Sequence, residues 1–111
     1  MALSVAVLGA GVTGLVAATR FADAGFSVTV YERAKTLGAG AASWLAGGML
    51  APFCEAESAE VSIIEPGLSG IEWWADRDIG LKREGTLVVA PWRDQADLKR
   101  FSRRTQSHEW L

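Results

Sequence analysis

An α/β fold is what the sequence predicts, on three observations. An apolar run, Leu3-Ser4-Val5-Ala6-Val7-Leu8, leads into Gly9-Ala10-Gly11-Val12-Thr13-Gly14. Glu32 closes a second apolar run about 20 residues further on. In that order the three describe a Rossmann-like βαβ unit: a buried strand, a glycine turn that opens a helix, and a second strand ending in an acid.

Each element has its own justification. Leu3 to Leu8 is nearly continuous in apolar residues, the pattern of a parallel strand covered on both faces. Between Gly11 and Asp23, Val12, Leu15, Val16, Thr19 and Ala22 recur at helical spacing, and Gly25 supplies the stop. Phe26 to Glu32 reads as the second strand, with Val28 and Val30 inside and a right-handed crossover. Residues 34–53 contain Gly38, Gly40, Gly47 and Gly48, with Lys35 as their one charge. Such a stretch packs a core poorly but lets backbone approach a large ligand. A helix is expected over Pro66–Asp76, with Pro66 in its first turn and Leu68, Ile71, Trp74 and Ala75 on one face. Gly85 introduces a strand, Thr86–Ala90. Asp94 then caps a last helix reaching about Gln106. That helix turns Leu98, Phe101 and Thr105 inward and Lys99, Arg100, Arg103 and Arg104 outward.

The glycines divide the work of a dinucleotide site. Gly9 permits the tight turn, Gly11 lets phosphate oxygens reach backbone, and Gly14 lets helix and strand pack closely. The helix amino end offers free amide hydrogens and a partial positive charge to a pyrophosphate. Glu32 sits where a carboxylate accepts hydrogen bonds from the hydroxyls of the adenosine ribose. The same charge repels a 2′-phosphate and so disfavours NADP. Arg33 reads as a solvated or phosphate-facing side chain. These features leave FAD and NAD both open.

The 111 residues amount to one domain or part of a larger one, and half of them are hydrophobic, which argues against disorder. A net charge of −2 offers no footprint for nucleic acid or an anionic membrane. Residues 1–19 are uncharged, yet they lack a basic leader and are broken by three glycines, so no membrane span is expected. Cys54 has no second cysteine to pair with, which fits a cytoplasmic setting, and no histidine nearby to make a metal site. His108, the only histidine, reads as a surface residue. Trp73 and Trp74 read as core or interface, and the cationic helix face as solvated.

The segment Gly38-Ala39-Gly40-Ala41-Ala42-Ser43-Trp44-Leu45-Ala46-Gly47-Gly48-Met49-Leu50-Ala51-Pro52 resembles the flavin-contacting loop of the D-amino-acid oxidase superfamily. Its pattern is nearest to the glycine oxidases of thiamin biosynthesis, which have a small-residue and hydroxyl pair followed by Ala-Gly-Met-Leu. The likeness runs on through Glu55-Ala56-Glu57, Trp73-Trp74, Glu84-Gly85-Thr86-Leu87 and the final helix. The resemblance implies FAD as cofactor. It places the Val12 and Thr13 backbone at the pyrophosphate and Glu32 and Arg33 at the adenosine end. Ala42, Ser43, Gly47, Gly48 and Met49 then line the path toward the flavin ring.

The resemblance also implies the reaction. A hydride leaves the α-carbon of a small amine or amino acid for the flavin, and the resulting imine hydrolyses to a keto acid and ammonia. Dioxygen or another acceptor takes the electrons, peroxide being the product with dioxygen. The division implied is a FAD-binding βαβ unit and flavin loop over residues 1–60, then helix, strand and helix beginning an α+β substrate domain over 61–111. The arginine that such enzymes use for the substrate carboxylate lies in their C-terminal half. The chain is therefore expected to be a truncated unit, inactive alone, that associates as a homo-oligomer or with a complementing chain. Two other readings remain: a non-catalytic cofactor-binding or assembly module, and part of an NAD-dependent dehydrogenase.

Overall fold

A strand entering a parallel pair cannot return by a tight hairpin, so it needs a crossover, and here a helix supplies it. The computed structural model describes residues 3–105 and 108–111. The chain divides into two compact units, Met1–Gly48 and Met49–Leu111. In the first, β1 (Ser4–Leu8) pairs in parallel with β2 (Ser27–Tyr31) across α1 (Val12–Asp23), in register from Ser4 opposite Ser27 to Leu8 opposite Tyr31. The Ser27 amide donates to the Leu3 carbonyl (2.9 Å) and the Gly9 amide to that of Tyr31 (2.8 Å), lengthening the ladder at both ends.

Both ends of α1 are set by glycine. Gly9 adopts φ +100°, a region closed to most L residues, and there the chain leaves β1. A Cβ on Gly14 would fall on the Gly9 carbonyl oxygen and 3.5 Å from the Val7 side chain. The helix can therefore start this close to its strand only with glycine there. At the far end, Gly25 (φ +87°) closes the helix in a Schellman arrangement. The Gly25 amide donates to Ala22 and that of Phe26 to Phe21. The rings of Phe21 and Phe26 meet edge to face at 5.5 Å, the apolar contact that accompanies this motif.

The expectation that β1 is covered on both faces is corrected. Val5, Val7, Val28 and Val30 are half-buried, while Ser4, Ala6, Leu8, Ser27, Thr29 and Tyr31 alternate to an exposed face, with Leu8 83% exposed. One helix covers one side of a two-stranded sheet. The helical stripe also shifts. Leu15, Val16 and Thr19 are half-buried as expected, but Val12 and Ala22 are exposed and Ala18 holds the buried position.

The second unit is helical: α2 (Pro52–Glu55), α3 (Ile64–Ala75) and α4 (Gln95–Arg104). The α3 helix starts two residues ahead of the predicted Pro66. Proline is tolerated there because the first-turn amides have no intrahelical acceptor. Its Ile71, Trp74 and Ala75 are half-buried and Leu68 is more exposed. Gly67 has a packing role that periodicity does not reveal: a Cβ there would stand 2.6 Å from that of Pro52. Trp73 and Trp74 touch edge to face at 4.8 Å, and the Arg77 guanidinium lies 3.5 Å from the centre of a Trp73 ring.

Two further expectations change in this unit. Thr86–Ala90 forms no ladder, and among the described residues β1 and β2 are the only strands. With no neighbour to pair against, Leu87 and Val89 stand 72% and 76% exposed. Asp94 does occupy the position before α4, but its carboxylate makes no capping bond. A single 3-10 turn, Trp92–Asp94, leads in instead, and the carboxylate lies 3.7 Å from the Arg93 Nε. Along α4, Leu98 and Phe101 are half-buried and Thr105 is buried, while Lys99, Arg100, Arg103 and Arg104 are exposed, as the pattern predicts. Arg104 meets Glu57 at 2.9 Å. Gln106, where the helix was expected to end, lies outside the described residues.

The two glycines of α3 should respond oppositely to alanine. Gly67→Ala forces the added methyl onto the rigid Pro52 ring and should lower unfolding free energy by about 1–3 kcal/mol. Gly70 faces open space, so Gly70→Ala should raise it by about 1 kcal/mol. Urea unfolding of the two variants beside the parent measures both.

Candidate functional site

Parallel strands end at the same edge, and the crevice beyond their carboxyl ends is where an α/β fold takes a ligand. Here that edge opens on a cavity of about 510 Å3, lined by Leu8, Gly9, Ala10, Gly11, Tyr31, Glu32, Arg33, Gly40 and Ala41. Its volume falls within the roughly 300–1,000 Å3 typical of small-molecule sites. Four of the residues predicted from sequence, Gly9, Gly11, Glu32 and Arg33, meet on its wall. Tyr31 joins them, because its register opposite Leu8 puts it at the same edge. Gly40 and Ala41 come from the glycine- and alanine-rich stretch that the sequence marks for close backbone approach.

Glu32 follows β2 directly, and its carboxylate reaches across to the glycine turn. One oxygen accepts from the Ala10 amide and the other from the Ala34 amide, each at 2.8 Å. These two bonds, that of Ala34 foremost, hold the carboxyl below its ordinary value of 4.5, with help from the Arg33 amide and guanidinium. An ionised carboxylate offers about four lone-pair sites, so roughly two remain for hydroxyl donors.

The amino end of α1 adjoins the same turn. Gly11 precedes the helix without a side-chain cap, and the helix has no acidic residue in its first turn to oppose an anion. Val12 and Thr13 are exposed there. Ser43 comes to this point from its own 3-10 turn, Ala42–Leu45, and its hydroxyl accepts from the Val12 amide at 3.0 Å. Gly47 and Gly48 close the first unit with open space where a Cβ would stand. Met49 opens the second unit and is 64% exposed. Within the first unit, Gly47 and Gly48 lie outside the cavity wall, as do Val12, Thr13, Gly14, Ala42 and Ser43.

The donor set suits the ADP half of a dinucleotide: backbone that approaches closely at the turn, a helix amino end for phosphate, and a carboxylate for a diol. Cys54 is half-buried and free, and His108 is exposed. Among the described residues, no group of three or more His, Cys, Asp or Glu side chains could hold a metal. No helix of the described residues is long and apolar enough to cross a membrane.

The bridging carboxylate makes stability depend on pH. A lowered folded-state pKa adds stability that is present above the ordinary value and is lost as pH falls through the lowered one. The melting temperature should therefore drop on acidification below pH 4.5, and part of that drop should vanish in Glu32→Gln, whose amide has one oxygen for two donors. Thermal melts of both proteins across this range provide the measurement.

Residues 4–111 match the model of a protein family described as FAD dependent oxidoreductase. The chain is 52% identical over 110 residues to a Rhizobium etli protein named as a thiamine biosynthesis oxidoreductase, ThiO. That alignment takes in 98% of this chain and 33% of the relative, so the chain spans about a third of the length of the curated relative it matches. No solved structure matches it.

Proposed function

The chain belongs to the FAD-dependent oxidoreductase family, and we propose that it is the FAD-holding part of an amino acid oxidoreductase of glycine-oxidase type. The observation that carries this reading is the Glu32 carboxylate joined to the glycine turn at the wall of one cavity. In this reading residues 1–60 hold the cofactor and residues 61–111 begin the part that receives substrate.

The backbone of Gly9, Gly11, Val12, Thr13 and Gly14 meets the pyrophosphate, with the α1 amino end opposing its charge. Glu32 keeps its two amide bonds and accepts the ribose hydroxyls on its remaining lone pairs, and Arg33 lies beside the adenosine end. Ala42, Ser43, Gly47, Gly48 and Met49 continue toward the ring. When bound, the flavin supplies a hydride acceptor for the α-carbon of glycine or a similar small amine, with imine and, through dioxygen, peroxide as products. The protein's share is alignment and electrostatics.

The full reaction is assigned to the whole protein, because this chain corresponds to about a third of its relative. Apolar residues exposed on the first unit away from the cavity, Leu3 and Leu37, support association with a second copy or a complementing chain. The single thiol, Cys54, supports a reducing, cytoplasmic setting.

Titration of the purified protein with FAD and with NAD+, read by flavin fluorescence and calorimetry, tests the cofactor assignment. FAD should bind at least about tenfold more tightly, about 1.4 kcal/mol, and Glu32→Ala should erode that affinity. Preference for NAD+ would overturn the assignment. With FAD and glycine added, these 111 residues should release no peroxide. Turnover at about 1 s−1 or faster, an ordinary enzymatic rate, would refute the division of labour.

A further inference from the structure

An α-helix leaves its first amides without intrahelical partners, and the residue just ahead usually supplies a side-chain oxygen to one of them. In α1 that residue is Gly11, which has none to give. The Val12 amide is met instead by Ser43 Oγ, 31 positions along the chain, at 3.0 Å. We propose that Ser43 is a positioning residue: it caps α1 from a distance and docks residues 38–45 onto the glycine turn.

A second observation, independent of that hydrogen bond, points the same way. A Cβ on Gly11 would stand 3.2 Å from that of Ala41 and 3.6 Å from Ser43 Oγ. Gly11 has φ −71°, a backbone geometry open to any residue, so conformation does not demand glycine there. What the missing side chain admits is the 41–43 segment. Gly38 adds a third point of closeness, since a Cβ on it would meet the Ala10 carbonyl oxygen at 3.0 Å. Residues 10–12 thus receive residues 38–43 along their length.

The chemistry of the cap explains why a hydroxyl serves. Accepting from Val12 leaves Ser43 its own proton and a second lone pair. The helix end is satisfied without fixing a negative charge where phosphate belongs, which an Asp at that point would do. A site assembled in advance binds without the cost of ordering a loop. That the docked segment serves a cofactor rests on the function proposed above, whereas the docking itself does not.

Hydrogen–deuterium exchange on the ligand-free full chain tests the docking. In Ser43→Ala the Val12 amide should exchange about fivefold faster, the effect of losing an N-cap, and Ser43→Thr should return it to within about twofold of the parent. Gly11→Ala, which keeps the hydroxyl but crowds Ala41, should speed exchange across 38–45. Unchanged Val12 exchange in Ser43→Ala, or Ser43→Thr exchanging as fast as Ser43→Ala, would overturn the proposal. Failure of the unaltered protein to bind FAD would sink the cofactor reading and leave this exchange pattern standing.

Discussion

One carboxylate on two backbone amides organises the first unit. Glu32 can span Ala10 and Ala34 because the parallel register brings the residue after β2 beside the turn after β1. The ladder sets the distance, the glycine turn turns its amide outward, and the charge draws both amides in. Remove any of the three and the cavity loses a wall. The site is thus a consequence of strand pairing as much as of the residues that line it.

The parts legible in the sequence are those encoded locally. Glycines at 9, 11 and 14 report a turn and a close approach, because only a residue without Cβ can sit where Gly14 does. Val28 and Val30 report a strand by their spacing, and Gly25 reports a helix end. Contacts between distant residues leave no such trace. Ser43 reads as a small polar residue in a glycine-rich stretch until the fold sets it against Val12. Gly67 looks like a weak point in a helix until Pro52 is seen beside it. Thr86–Ala90 has the composition of a strand, but a strand also needs a partner, and composition cannot supply one. Asp94 stands at the right position and turns its carboxylate toward Arg93 instead of the helix amides.

Packing in the first unit is carried by small groups. Its most buried apolar residues are Ala10 and Ala18, and no large side chain of the described residues is fully buried. Alanine at these points lets backbone segments lie close together. The same economy leaves Leu8 and Tyr31 exposed on the sheet face away from α1.

The parallel pairing of β1 with β2 bears on the order in which this unit folds. Ser4 meets Ser27 and Leu8 meets Tyr31, so no rung of the ladder joins residues near in sequence. Closing such a loop costs chain entropy before any rung rewards it. The Phe21–Phe26 clasp and the Gly25 bend, by contrast, link neighbours. The α1-to-β2 turn is thus a local closure with a small entropic cost, whereas the β1–β2 ladder is a long-range one.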